Sequence, residues 1–195
     1  AREGRKTVAQ YDLIRSIEKV MLGPERKSHV LTLEEKKITA YHEAGHALVA
    51  SVLPDADPVH KISIIARGNA GGYTLKLPLD DRRLMSRATF LDDIAMSLGG
   101  YVVEKNIFGD LTTGSSNDLQ VSTALARDMV TKYGMSDKIG PVALEAGSGK
   151  AMFGNNVGER DYSETVGTTI DTEVSKIMND AFARAREACT THRKA

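Results

Sequence analysis

The chain has 195 residues, 41% of them hydrophobic, and its 26 Lys plus Arg are balanced by 26 Asp plus Glu. That length and apolar content suffice for one domain with a substantial core, while the neutral charge gives no pull toward nucleic acid or an acidic membrane surface. A single cysteine, Cys189, excludes an internal disulfide, and no stretch of 18 or more apolar residues marks a membrane span.

The start, Ala1-Arg2-Glu3-Gly4-Arg5-Lys6, lacks the apolar core of a signal peptide, and the absence of an initiator Met predicts a piece of a longer protein. Thr7 is placed to cap a first helix whose stripe of Tyr11, Ile14, Ile17 and Met21 ends at Gly23-Pro24. Residues up to about Leu31 read as a linker. Thr32-Leu33-Glu34-Glu35 then fits a capping box, with Thr32 as N-cap and Glu35 three residues on. The helix that it opens carries Ile38, Tyr41, Gly45, Leu48, Val49 and Val52 at helical spacing and stops at Leu53-Pro54.

Inside that helix, His42-Glu43-Ala44-Gly45-His46 forms the pattern HExxH. Positions i and i+4 lie on one helix face, so His42 and His46 can offer imidazole nitrogens to one metal ion. Glu43 then hangs beside the metal, where a carboxylate must be to take a proton from the attacking water without filling the open coordination site. With 5 His in the chain, chance would give this pattern on the order of one time in a hundred. Gly45 inside a helix costs about 1 kcal/mol relative to Ala, which predicts that something packs close against it.

Next come Ile62-Ser63-Ile64-Ile65 and Tyr73-Thr74-Leu75-Lys76-Leu77, which read as two strands joined through Gly68 to Gly72. Zinc peptidases commonly grip an extended substrate as an added strand on a sheet edge, so a sheet directly after the metal helix has an evident use; a purely structural hairpin reads equally well. A third helix starts at Ser86, carries Leu91, Ile94, Ala95, Leu98 and Val102 across an interruption at Gly99-Gly100, and ends at Gly109. A fourth runs from about Asn117 to Tyr133, with Leu119, Ala126, Met129, Val130 and Tyr133 inward. The Gly/Asn/Ser-rich stretch from Glu145 to Asp161 reads as a loop, and its Gly147-Ser148-Gly149-Lys150 fails the phosphate-loop pattern. A last helix opens with an Asp161 to Glu164 box and continues through Val166, Ile170, Val174, Ile177 and Ala181.

Catalytic zinc takes three protein ligands and keeps one position for water, so HExxH lacks one. A metzincin would place a His where Val52 stands. His29, His60 and His192 have no distinctive setting, and Cys189 lies near the end of a polar helix. A carboxylate is favoured over them as the third ligand. Glu104 and Asp118 lead, with Asp92, Asp93 and Asp110 behind them, and spacing alone leaves Glu104 and Asp118 level.

Several runs occur in order: Ile38 to Ala47 around the motif, Leu98-Gly99-Gly100, Phe108-Gly109-Asp110-Leu111-Thr112-Thr113-Gly114-Ser115-Ser116-Asn117-Asp118-Leu119, and Met129 to Ser136. Together they resemble the peptidase domain of the FtsH family of membrane-anchored AAA+ zinc proteases, over nearly the whole chain. The resemblance implies that Asp118, in the TGxxND motif, is the third zinc ligand beside His42 and His46, with Glu43 catalytic and Glu104 near the metal but not on it. It implies one Zn²⁺ per chain, and ATP as the need of an ATPase module that this chain lacks. It divides the chain into residues 1–31, the end of that module's last helix plus a linker, and residues 32–195, the zinc peptidase domain. The expected partners are polypeptide substrates and five further copies in a hexamer, with membrane contact only through segments absent here. The whole protein is then membrane-anchored, with this soluble domain on the cytoplasmic, matrix or stromal side, degrading unfolded, cytosolic and membrane proteins for quality control. Two departures stand out: Gly71, where the family usually has a bulky apolar residue, and Tyr101-Val102-Val103 after the LGG turn. The fold expected is mainly α with a small sheet (α+β). The rival reading is a non-catalytic peptidase-fold scaffold for ring assembly, against which the intact Glu43 argues.

Overall fold

The computed structural model describes residues 6–23, 31–65, 71–77, 84–144 and 162–194. The first helix, α1 (Gln10–Leu22), begins three residues after Thr7. Its N-cap is Ala9, whose N–H donates to the Asp12 carboxylate at 2.8 Å, so the cap comes from inside the first turn. The expected apolar stripe is largely in the open, with Tyr11, Ile17 and Met21 exposed. Glu18 of α1 is buried and accepts from Lys61 at 2.7 Å.

Helix α2 (Leu33–Val52) starts as the capping box requires: Glu35 N–H donates to Thr32 Oγ1 and Thr32 N–H to the Glu35 carboxylate. Its buried face matches the stripe that periodicity suggested only in part: Gly45 and Val49 are buried and Leu48 packs against the core. Tyr41 and Val52 are exposed, while His42, Glu43, Gly45, His46, Ala47, Val49 and Ala50 are buried. The helix turns its polar motif inward because polar partners, not apolar ones, await it there.

Strands β1 (Val59–Ser63) and β2 (Tyr73–Lys76) form a two-stranded antiparallel sheet with Ser63 opposite Tyr73, Ile62 opposite Thr74, and an irregularity between Val59 and Lys61. Compared with the sequence expectation, β1 lies about two residues earlier. Ile64 and Ile65 run past the start of β2, have no strand opposite them among the described residues, and are exposed. The turn expected at 68–72 lies partly, and the loop expected at 145–161 wholly, outside the described residues.

Ser86 caps α3 (Arg87–Ser97) by accepting from Thr89 N–H. The Gly99-Gly100 interruption proves to be a break: α4 (Gly99–Val103) starts afresh and runs into a π-helical turn, Glu104–Phe108, stopped by Gly109 at φ 72°. A short 3₁₀ turn, Thr113–Ser115, leads into α5 (Ser116–Thr131), and α6 (Glu164–Thr191) closes the fold. Ser163, not Asp161, caps α6. Asp161 itself lies outside the described residues.

The core gathers Val49 and Ala50 of α2, Ile94 of α3, Val102 of α4, Met129 of α5 and Ile170 of α6, among others. Gly45 explains its own presence here. A Cβ at Gly45 would lie 2.5 Å from the Gly99 carbonyl oxygen, and one at Gly99 would lie 2.6 Å from the Gly45 carbonyl oxygen. Helices α2 and α4 therefore touch backbone to backbone, which draws the segment following α4 up to the motif.

Candidate metal centre

His42 and His46 project from one face of α2 with their rings edge to face, centroids 4.6 Å apart. The outer nitrogen of each ring is already engaged. His46 Nδ1 donates to the Met96 carbonyl at 2.9 Å, and His42 Nδ1 donates to Glu104 Oε1 at 2.7 Å. A carbonyl can only accept, as can an ionised carboxylate, so both Nδ1 atoms carry the proton and both Nε2 lone pairs face inward. Met96 sits in the last turn of α3.

The inward atoms converge with Asp118, in the first turn of α5. His42 Nε2 is 3.0 Å from His46 Nε2. Asp118 Oδ2 is 3.2 Å from the first and 3.4 Å from the second. A tetrahedral Zn²⁺ with ligands at roughly 2.0–2.1 Å separates them by about 3.3–3.4 Å. Three atoms that can each offer a lone pair, spaced in this way, form a set that fits a divalent cation in chemistry and in size. Among the described residues these three are the group of His, Cys, Asp or Glu arranged to hold an ion.

The electrostatics agree. Burial pushes His42 down, but the hydrogen bonds to Asp118 and Glu104 outweigh it, and its pKa is raised. Burial likewise pushes Asp118 up, but the two imidazoles overcome it and hold its carboxyl at about 2. Positive charge is favoured at this point, whether a proton or a metal supplies it.

Glu104 is where the sequence left two carboxylates level. It is 1% exposed and faces the outer edge of His42, on the opposite side of the ring from Asp118. Its second oxygen accepts from Thr112 N–H at 2.7 Å, and Ser115 Oγ donates to the first at 3.3 Å. Glu104 thus occupies the supporting position and Asp118 the convergent one. Of the other candidates, Asp92 is taken by Arg184 and by Asp55 N–H, and Asp93 by Lys76. His60 and His192 are exposed, and His29 lies outside the described residues.

Glu43 is 6% exposed, and Thr74 Oγ1 donates to its Oε2 at 2.7 Å. Burial raises its pKa, with the Thr74 bond and the imidazoles opposing. A carboxylate moved up from its usual range is better matched to taking a proton near neutrality. Gly100 and Gly72 make room for these side chains: a Cβ at Gly100 would stand 2.3 Å from His42 Cε1, and one at Gly72 would stand 2.9 Å from Glu43 Oε1. Gly71, the departure noted above, is exposed, and a Cβ there would meet nothing nearer than Thr39 Oγ1 at 3.8 Å. His42, Glu43, His46 and Asp118 line an open cleft of about 750 Å³, together with Gly71 to Thr74 and Thr112 to Gly114.

Comparison with known proteins decides the family, since the chain matches peptidase family M41 over residues 29–195. The chain belongs to peptidase family M41. It is a metallopeptidase. The ATP-dependent zinc metalloprotease FtsH 1 of Sphaerobacter thermophilus is 47% identical over 98% of this chain and 30% of its own length. The FtsH of Caldicellulosiruptor bescii is 44% identical over 96% of the chain and 30% of its own length, and FtsH 3 of Petrotoga mobilis 46% over 95% and 29%. The M41 chain spans about 30% of the length of these curated relatives. Among its described residues no helix is long and apolar enough to cross a membrane.

Three features of this M41 site gave no usable sequence signal. The Met96 carbonyl is main chain, the Thr74 hydroxyl looked like one polar residue in an alternating strand, and Gly100 looked like a flaw in a helix.

Proposed function

We propose that this chain is the zinc endopeptidase domain of an FtsH-like, ATP-dependent protease, with His42, His46 and Asp118 as the metal ligands and Glu43 as the general base. One observation carries the reading: three acceptor atoms converge at 3.0–3.4 Å while both Nδ1 protons point away to fixed acceptors. Bound there, one zinc ion per chain supplies a Lewis acid for the scissile carbonyl and makes water acidic, toward a pKa of about 7. Glu43 receives the proton of the attacking water and passes it to the leaving amine. Glu104 and the Met96 carbonyl hold the imidazoles so that their Nε2 lone pairs stay inward.

The relatives are named as ATP-dependent zinc metalloproteases, and the wider reading adds ATP hydrolysis by a separate module, with residues 1–31 as its last helix and a linker, and residues 32–195 as the peptidase domain. In the same reading the whole protein is a membrane-anchored hexamer with this domain on the cytoplasmic, matrix or stromal side, which degrades unfolded, cytosolic and membrane polypeptides. The site offers nothing that pulls a fold apart, so substrates reach it as extended chain.

Glu43→Gln should keep stoichiometric zinc and lose casein cleavage, and a chelator should abolish cleavage by the wild type. Asp118→Ala should lose zinc far more readily than Glu104→Ala. Full cleavage by the Glu43→Gln protein with its zinc in place would refute the base assignment. Zinc retained by Asp118→Ala but lost from Glu104→Ala would reverse the ligand assignment.

A further inference from the structure

Glu43 is a buried carboxylate with freely rotating side-chain bonds, yet general-base catalysis needs one oxygen held within hydrogen-bond reach of a moving proton. Nothing in HExxH says what holds it. The residues on either side of it on α2 point their polar groups elsewhere: His42 toward Glu104 and Asp118, Ala44 not at all. The contact comes from the sheet. Thr74 Oγ1 lies 2.7 Å from Glu43 Oε2 and 3.2 Å from the Glu43 carbonyl. The single hydroxyl proton goes to the closer, charged acceptor, which makes the stronger bond. On the other side, Oε1 lies over Gly72, where any Cβ would come within 2.9 Å of it and 2.8 Å of the Ser63 carbonyl.

We propose that Thr74 is the positioning residue for the general base: its hydroxyl fixes Glu43 Oε2, leaving Oε1, seated against Gly72, to take and return the proton. The proposal rests on the reading of Glu43 as the base. It gives strand β2 a task beyond any grip on the substrate, because a four-residue strand then sets the aim of a carboxylate on a neighbouring helix. Thr74 serves here through its side chain, whereas a strand adds to a sheet through its backbone. The two roles therefore part in the kinetics. Loss of a backbone grip raises KM, and loss of aim in the base lowers kcat.

The test uses zinc-loaded full-length protein and a short fluorogenic peptide, with Thr74→Val, Thr74→Ala and Thr74→Ser made side by side. Val matches the shape of Thr without the hydroxyl, Ala lacks both, and Ser keeps the hydroxyl. The expected result for Val and Ala is a kcat lower by roughly ten- to a hundred-fold, with KM within about two-fold of wild type and zinc content unchanged. Ser should return kcat to within about three-fold of wild type. Should Val unfold, Ala carries the comparison, since the smaller side chain fits wherever Thr does. Wild-type kcat in the folded, zinc-loaded Val or Ala protein overturns the proposal. So does a loss confined to KM, or a Ser variant as slow as Ala. Activity surviving Glu43→Gln is a different failure, one that removes the base itself and is read in a different variant.

Discussion

The two imidazoles and the carboxylate of one helical turn are supported by different parts of the molecule. His42 and His46 lean on the helical side, against Glu104 at the start of the π-helical turn and the Met96 carbonyl of α3. Glu104 is 1% exposed, and Ile94 and Val102 beside these supports are fully buried. Glu43 leans the other way, on one hydroxyl of a four-residue strand in a two-stranded sheet. Such a ribbon is marginal by itself and keeps its place by packing on a neighbour, here α2. In the proposed function, holding the cation and moving the proton are thus mechanically separate, and each ought to fail without the other.

The sharpest way to break the cation side alone is Gly100→Ala. The new methyl would stand 2.3–2.5 Å from three atoms of the His42 ring, and the ring is pinned between Glu104 and Asp118. Zinc affinity should fall by more than the roughly 10–100-fold typical of losing a ligand's support, and activity should fall with it. Titration against a competing chelator measures this, and wild-type affinity would mean that the ring is not confined.

Gly72→Ala is the matching change on the proton side. Its methyl meets Thr39 Cγ2, the Ser63 carbonyl and Glu43 Oε1 within 2.7–2.9 Å. Displacing the strand or the carboxylate should lower kcat roughly a hundred-fold and stability by about 1–3 kcal/mol while leaving zinc bound. If metal and kcat vanished together in this protein, the two halves would be one.

The smallest effect sharpens the contrast from outside both halves. Burial raises Glu173 of α6, but the Ser136 hydroxyl at 2.8 Å and Lys138 outweigh it and hold its pKa below the ordinary 4.5. A carboxylate with a lowered pKa in the folded state adds stability that is fully present above its unfolded pKa and is lost as pH falls through the folded one. The melting temperature should therefore drop from about pH 5 downward, and Glu173→Gln should flatten that slope slightly without altering zinc affinity at neutral pH. An unchanged slope would leave the acid sensitivity with other carboxylates.

Much of this could be read in the sequence, for local reasons. Thr32 and Glu35 make a capping box whose partners are three residues apart, and the HExxH spacing places both imidazoles together on any helix. The proposed third ligand was harder. Glu104 and Asp118 both follow the motif at long range, and spacing alone does not say which side of His42 each will face. That depends on the backbone contact of Gly45 with Gly99 and on the π-helical turn that starts at Glu104. The apolar stripe of α2 misled for the reverse reason: Tyr41 counted as core by periodicity, yet it is exposed and meets the Phe108 ring edge-on at 5.6 Å. Gly71 and Gly72 looked alike as letters. In space one has room for a side chain and the other has none.

The pairing of β1 with β2 carries a further consequence. Successive side chains of a strand face opposite ways, so a slip of one residue between Ile62 and Thr74 would bring Tyr73 or Leu75 opposite the carboxylate. Neither could replace a small hydroxyl there. An M41 domain misaligned in this way would still look correctly metallated by every elemental assay and would hydrolyse almost nothing, so the alignment of nine strand residues is a quality that metal content alone does not certify.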